Sequence, residues 1–586
     1  MLKFTPVRII LVLLAALLLA AAGWLYTRRV ERIEIATYIP ESALGFIEVN
    51  SLAQLISQVT SNKAWQQLAP AYGISDKLSY IGKAGQAGWL VSLTGNSEAA
   101  IFSRAQLAVV ATSLEVRGEA VKPRLALVAE THIGAGALQD LMEKRLPEFA
   151  QTLFGQTVKQ TSEYAGVQIV SYGVSNSDRK LLAARIESEL ILANHEEPLH
   201  ACIDTRLGRA PSIAGNFYLP KARPAVNPAN GTDASVFGFV TGEGVKRLLR
   251  FGTYLAAGGV IGKAALAGAV GDVFTDFSAK TCDGIAYGAS FESDQTVDRY
   301  ALLFKPDLTE KLKTVIKAAP NQTQALNLVP TSAREVTVVK VVNPSRTLDE
   351  LEKAVSARVD VAQSFLLHQF LIGMREAAFG AKSGELTGAA VGDEIISFNL
   401  TDEPLNRVWL LATRDRTMMM RLAESLLAQF REKRIAAIRH EDFAGFDVMN
   451  SSEPSRGAAV FIGDVLALGA RPQLLRLIEA HRGGQKLVAT LQFTPANQFL
   501  QALPAASLAS FSSIKEESNE MMVALARAFG TMSSPAQVPA LEQLPLAASA
   551  TSLGEQGLII ESRSPFGNLP MLVSLIAGSG GEAASR

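Results

Sequence analysis

Cysteine is nearly missing from this chain: Cys202 and Cys282 are the two among 586 residues. No disulfide framework can organise a chain so poor in thiols. An oxidising compartment permits a bridge between them. Two separate buried thiols are the preferred expectation, because free cysteine packs as a small hydrophobe. Net charge is missing as well. Lys plus Arg and Asp plus Glu number 56 each. Without a net field there is little to draw nucleic acid, so no nucleic-acid partner is expected. Charged residues make up 19% and apolar residues 48%, which fits an ordered globular chain with room for several cores.

Catalytic signatures are also lacking. Six histidines are scattered, and only His195 and His200 are close in sequence. With Glu196 and Glu197 between them they mimic a metal cluster. Their spacing does not put both on one helical face as an i, i+4 pair would, so a solvated helix start is expected instead. The run Gly258-Gly259-Val260-Ile261-Gly262-Lys263 imitates a phosphate loop. Position 257 is Ala where the first glycine would stand, and Ala264 offers no hydroxyl for magnesium. A close-packed small-residue helix over Tyr254–Phe274 is the better reading, with a membrane-dipping helix as the alternative. No Gly-x-Ser-x-Gly elbow occurs, and Ser512-x-x-Lys515 lacks the companion motifs of a penicillin-binding site. The Met418-Met419-Met420 run reads as helix packing rather than a sulfur ligand site. No carboxylate pair stands out. Sequons at Asn230, Asn321, Asn399 and Asn450 matter only in a host that glycosylates. The expectation is therefore no catalytic, cofactor-binding or metal-binding residue, and no cofactor.

What is present begins at the N-terminus. Ile9 to Tyr26 is an 18-residue uncharged run between Arg8 and Arg28. It is long enough for a short membrane span, with Trp24 and Tyr26 at an interface. Ala20-Ala21-Ala22 would suit a signal-peptide cleavage site, but the apolar run continues past it. An uncleaved anchor with the body outside the cytoplasm is expected. The flanking basic residues nearly tie, and a large domain after one span can translocate regardless of flanking charge.

The body shows a weak repeat. Tyr164-Ala165-Gly166-Val167-Gln168-Ile169-Val170 returns as Phe443-Ala444-Gly445-Phe446-Asp447-Val448-Met449. Each glycine is placed to feed a turn into a strand, and each aromatic reads as a core anchor. Ile39-Pro40-Glu41-Ser42-Ala43 returns as Val329-Pro330-Thr331-Ser332-Ala333. Arg124-Leu125-Ala126-Leu127-Val128-Ala129 returns as Arg407-Val408-Trp409-Leu410-Leu411-Ala412. Glu189 to Ala193 returns as Asp464 to Leu468, and Cys282–Phe304 loosely as Ala547–Ser562. The drift in spacing suits loop insertions in an old duplication.

Each copy predicts strand, helix, hairpin strands and a further helix. Short turns favour antiparallel pairing, with helices on one face. In the first copy the helix over Ala137–Leu153 should face inward through Leu138, Leu141, Met142, Leu146, Phe149 and Leu153. Pro147 should bend it. Pro211 to Thr232 carries four prolines and reads as an irregular connector. The expected class is α+β, as two tandem, diverged units of mainly antiparallel sheet after one N-terminal transmembrane helix. The expected limits are a cytoplasmic tail 1–8, an anchor 9–26, a linker 27–36, a first unit 37–305, a connecting segment 306–326, a second unit 327–565 and a flexible tail 566–586.

Ile39 to Val49, Ala64-Trp65-Gln66-Gln67-Leu68-Ala69 and the late Gly557-Leu558-Ile559-Ile560-Glu561-Ser562 resemble an uncharacterised bacterial family. Its members are single-anchor envelope proteins with a large domain of unknown function. The resemblance implies a bacterial envelope location, and the expected place is the inner membrane, single-pass, with the main body in the periplasm or otherwise outside the cytoplasm. It supplies no catalytic residue. The functional expectation is a non-enzymatic binding or scaffold protein, partnered by the membrane through its anchor and by an envelope protein or lipid. The alternatives are a carrier of a hydrophobic ligand and a hydrolase with an unrecognised site.

Overall fold

The computed structural model describes residues 33–74, 105–117, 120–174, 179–227, 234–250, 264–292, 294–317, 325–361, 363–365, 368, 388–401, 407–429, 438–450, 457–487, 507–528, 531 and 538–570. Among the described residues twenty strands form one sheet, and every pairing in it is antiparallel. The first half of the chain supplies β1 (Gly45–Val49), β2 (Gln106–Arg117), β3 (Ala120–Glu130), β4 (Val158–Tyr164), β5 (Val167–Gly173), β6 (Lys180–Ile186), β7 (Glu189–Ala193), β8 (Val236–Thr241), β9 (Cys282–Phe291) and β10 (Thr296–Phe304). The second half supplies β11 (Arg334–Lys340), β12 (Val391–Asn399), β13 (Arg407–Thr413), β14 (Arg439–Asp442), β15 (Asp447–Asn450), β16 (Ala458–Ile462), β17 (Val465–Gly469), β18 (Leu508–Ser512), β19 (Ala547–Leu553) and β20 (Gly557–Ser564).

Following the pairings across the first half gives β4-β5-β6-β7-β3-β2-β1-β8-β9-β10. The second half gives the same order with each strand number raised by ten, from β14 to β20. The two halves meet where β10 pairs with β20. The hairpins leading into this seam match in length. Phe291↔Thr296 closes one and Leu553↔Leu558 the other. Counted from those ends, Arg299 corresponds to Glu561, and these two residues are also partners across the seam. A local two-fold axis therefore passes between them.

The helices follow the same repetition. α1 (Leu52–Ser61) and α2 (Lys63–Leu68) precede α3 (Ala135–Phe154), α4 (Glu196–Arg206), α5 (Leu219–Val226) and α6 (Ala264–Thr281). After the connecting α7 (Pro306–Val315) come α8 (Pro344–Ser356), α9 (Arg416–Gln429), α10 (Arg471–Arg482) and α11 (Lys515–Ala528). Local chemistry starts several of them. Ser51 Oγ accepts from Gln54 N at 3.2 Å, and Asn343 Oδ1 from Arg346 N at 3.4 Å, each satisfying a free N–H of a first turn.

Helices cover both faces of the sheet, not one. Alternation along β6 shows why: Leu182 and Ala184 join the core under α4, while Leu181 and Ala183 join the one under α3. Each α4 core residue such as Leu199 or Ile203 is fully buried, worth about 1.5–3 kcal/mol apiece. The three-residue spacing of the expected inward face of α3 is only partly met. Leu138, Met142, Leu146 and Ala150 are buried, while Phe149 is 47% exposed, and the helix runs through Pro147 without ending. Pro211–Thr232 is not wholly irregular, since α5 lies within it. Pro220 occupies a first-turn position, where a missing N–H costs nothing, and Leu219, Ala222 and Val226 face the core.

The repeated aromatic-Ala-Gly stretches are two-residue hairpin turns. Ala165 and Gly166 have φ of 57° and 84°, and Ala444 and Gly445 have 50° and 93°. Positive φ at both central residues defines the turn that matches strand twist. Among the described residues no helix is long and apolar enough to cross a membrane; Ile9–Tyr26 and Gly258–Lys263 lie outside them.

Candidate functional site

A cleft of about 430 Å³ lies between α3 and the face of β4–β6. Strand alternation builds its floor. Gln168, Val170 and Tyr172 point into it from β5, Lys159 and Thr161 from β4, and Arg185 from β6. Gln139, Met142 and Glu143 close it from α3. Arg185 Nε donates to Gln139 Oε1 at 3.2 Å, fixing helix to sheet at the cleft wall. The wall thus mixes both signs of charge with a few apolar groups.

A second constellation lies on the opposite face. Glu130 and Glu189 are direct partners in the β3–β7 register, and both are buried. Like charges opposite each other repel, so this arrangement needs compensation. Arg206 supplies it from the last turn of α4. Its Nε lies 2.9 Å from Glu189 Oε2 and its Nη2 2.8 Å from Glu187 Oε2. Burial nevertheless outweighs Arg206, and with Glu130 adding to it pushes the Glu189 carboxyl up to about 8. Glu130 is held differently: the His132 N–H donates to its Oε1 at 2.9 Å. His132 Nε2 lies 3.0 Å from Gln106 Oε1, and Gln106 in turn clasps the backbone N and O of Ile33. The Arg206 guanidinium also covers the Tyr38 ring at 5.0 Å. Burial, then Glu130, raises the Tyr38 hydroxyl above its usual range.

Two non-glycine residues at this cluster, His132 and Glu187, have φ of 54° and 53°. Such backbone costs of order 1–2 kcal/mol each and persists where surrounding contacts hold it. In the second half, the positions matching Glu130 and Glu189 are Thr413 and Asp464, joined by Thr413 N to Asp464 O at 2.9 Å, and Asp464 is exposed. The charged cluster therefore belongs to one half alone. Chemically, the raised carboxyl of Glu189 can hold a proton. Neither Glu130 nor Glu189 is open to a substrate.

The residues singled out in sequence fall elsewhere. His195 starts α4 and its Nδ1 accepts from Glu197 N at 3.3 Å. His200 stacks on Tyr164, centroids 3.7 Å apart and planes 9° apart. Tyr164 also donates to Asp204 Oδ2 at 2.8 Å, so the aromatic of the hairpin turn is pinned to α4. Glu196 pairs with Lys180 and Glu197 with Arg124. Among the described residues no group of His, Cys, Asp and Glu could hold a metal ion. Met419 is wholly buried in the α9 core, and Lys515 pairs with Glu542. Cys202 and Cys282 are both buried and free, their thiols pushed up by burial to about 12 and about 11. Asn399 and Asn450 are buried, so a sugar-transferring enzyme cannot reach them in the folded chain; Asn230 and Asn321 lie outside the described residues.

Sequence reasoning missed the Glu130–Glu189 pair because its members are far apart in the chain, Glu130 ending one ordinary-looking strand and Glu189 beginning another. The usable signal was a charged residue in phase with the buried Ala126 and Val128 of one strand and Ile191 and Ala193 of the other. No family model, no curated protein and no solved structure matches this chain.

Proposed function

We propose that the chain is a membrane-anchored, non-catalytic protein of the bacterial envelope, a diverged duplication of one α+β unit. It binds a polar segment of a partner protein in the cleft between α3 and β4–β6. The apolar Ile9–Tyr26 run supports the anchor. The repeated strand order supports the duplication. The observation that carries the binding reading is the cleft wall, where Lys159, Arg185 and Glu143 stand beside Gln139 and Gln168. Fixed charges of both signs suit a polar chain with matching groups better than an acyl tail, which counts against a lipid carrier. A hydrolase reading would lean on Glu130 and Glu189, but these face the core under α4 rather than the cleft.

The test places a photo-crosslinking residue at Gln168 in the full-length chain in native membranes. A discrete protein adduct is expected, and Glu143→Lys, an exposed wall change, should abolish it while leaving the melting temperature intact. Adducts to lipid alone would favour the carrier. A protein adduct indifferent to Glu143→Lys would place the partner elsewhere and overturn this reading.

A further inference from the structure

We infer that two copies of this chain join edge to edge through β4, antiparallel, about a two-fold axis at Thr161. Among the described residues β4 pairs with β5 alone, and six of its seven residues are exposed. Such an edge offers a row of unpaired backbone groups to another strand. Hairpin geometry says which ones. Tyr164 and Val167 flank the two-residue turn, so they exchange both backbone hydrogen bonds, and bonded pairs then alternate along the ladder. The equivalent turn shows this directly: Phe443 N donates to Phe446 O at 2.7 Å and Phe446 N to Phe443 O at 3.2 Å. The N–H and C=O groups of Lys159, Thr161 and Glu163 therefore point away from β5.

The sequence of this edge is complementary to itself. An axis at Thr161 sets Lys159 opposite Glu163 of the second copy, twice by symmetry. It sets Val158 opposite Tyr164, Gln160 opposite Ser162, and Thr161 opposite itself. Every outward N–H and C=O of Lys159, Thr161 and Glu163 gains a partner in that register. The β10–β20 seam already pairs two equivalent strands in the same antiparallel way over eight residue pairs.

The opposite edge of the sheet does not invite the same contact. β14 is four residues long, Arg439-His440-Glu441-Asp442, and all four are ionisable. His440 is tied to Asp447 at 3.2 Å and Glu441 to Arg471 at 2.8 Å. A short, charged edge resists pairing. One open edge and one blunted edge give a closed dimer rather than a filament. This inference does not depend on the cleft's ligand.

The test is sedimentation equilibrium of the full-length chain in detergent. The natural chain should be dimeric. Lys159→Glu and Glu163→Lys each oppose like charges twice, and each should raise the dimer dissociation constant at least tenfold. The double variant Lys159→Glu/Glu163→Lys should restore it. Thr161→Pro removes an outward N–H that β5 does not use, so it should leave the melting temperature near normal and the chain monomeric. A monomeric natural chain overturns the inference. So does a dimer unmoved by the single charge reversals, or one the double variant fails to restore.

Discussion

Arg299 and Glu561 are direct partners across the β10–β20 seam, with Nη2 2.6 Å and Nε 2.7 Å from Glu561 Oε2. They occupy corresponding places in the two halves. Identical residues there would face each other as like charges; one of each sign makes a buried ion pair instead. Arg563 adds a second guanidinium at 3.0 Å, and Glu561 is nearly excluded from solvent. Removing the carboxylate strands two arginines. Glu561→Ala should cost about 3 kcal/mol or more in denaturant unfolding, and Arg299→Met less. Equal losses would mean that the pair is not the reason.

Gly557 stands at the start of β20 with φ of 141°, and a Cβ there would sit 1.9 Å from Leu302 O. The neighbour is backbone and cannot swing aside. Gly557→Ala should therefore open the end of the seam and lower stability by more than about 2 kcal/mol. Faster amide exchange at Leu302 and Leu303 should accompany it, while exchange in β5 and β6 stays unchanged.

The alanines of the two hairpin turns hold a left-handed conformation that costs of order 1–2 kcal/mol. Asn tolerates it better. Ala165→Asn and Ala444→Asn should each stabilise the fold by about 0.5–1 kcal/mol, read as a rise in denaturant midpoint at constant slope. Arg209 Nη2 donates to Ala165 O at 3.4 Å, and Arg482 donates to Ala444 O in the matching place. Both contacts use backbone and survive the change.

The buried acids give a pH dependence of known sign. Glu189 rises from an ordinary 4.5 to about 8 in the folded chain, chiefly by burial. The folded state thus binds this proton more tightly than the unfolded one. The associated stability is complete below about pH 4.5 and is lost as pH rises toward 8. Asp298, buried beside the Tyr287 hydroxyl at 2.6 Å, rises to about 6 and acts in the same direction over a lower range. Unfolding free energy should fall between pH 5 and pH 8. Glu189→Gln should flatten the upper part of that fall and Asp298→Asn the lower part. A profile that rises over this interval would refute the assignment.

Local patterns were readable in the sequence and long-range pairings were not. The Tyr164 and Phe443 stretches, the strands over Leu125–Val128 and Leu410–Leu411, and the Cys282–Phe304 hairpin all depend on neighbours a few residues away. Helix α5 was obscured because four prolines outweighed the spacing of Leu219, Ala222 and Val226. The Glu130–Glu189 pair needed the β3–β7 register. Helices on both faces needed the opposite fates of Leu181 and Leu182. The seam needed β10 to find β20 across nearly all of the second copy.

One core has an effect on how the chain must be made. Tyr72, Trp65 and Leu68 pack against Met521, Met522 and Phe566, and Asn62 Nδ2 donates to Pro565 O at 3.0 Å. Reciprocally, Gln363 donates to Asp276 and Arg358 pairs with Asp307. An early helix thus waits for residues 503 positions further along the chain. During synthesis, N-terminus first, its apolar side has no home until residue 566 has emerged. Truncation before that point should leave a chain that needs a chaperone to stay soluble, however complete its first ten strands are.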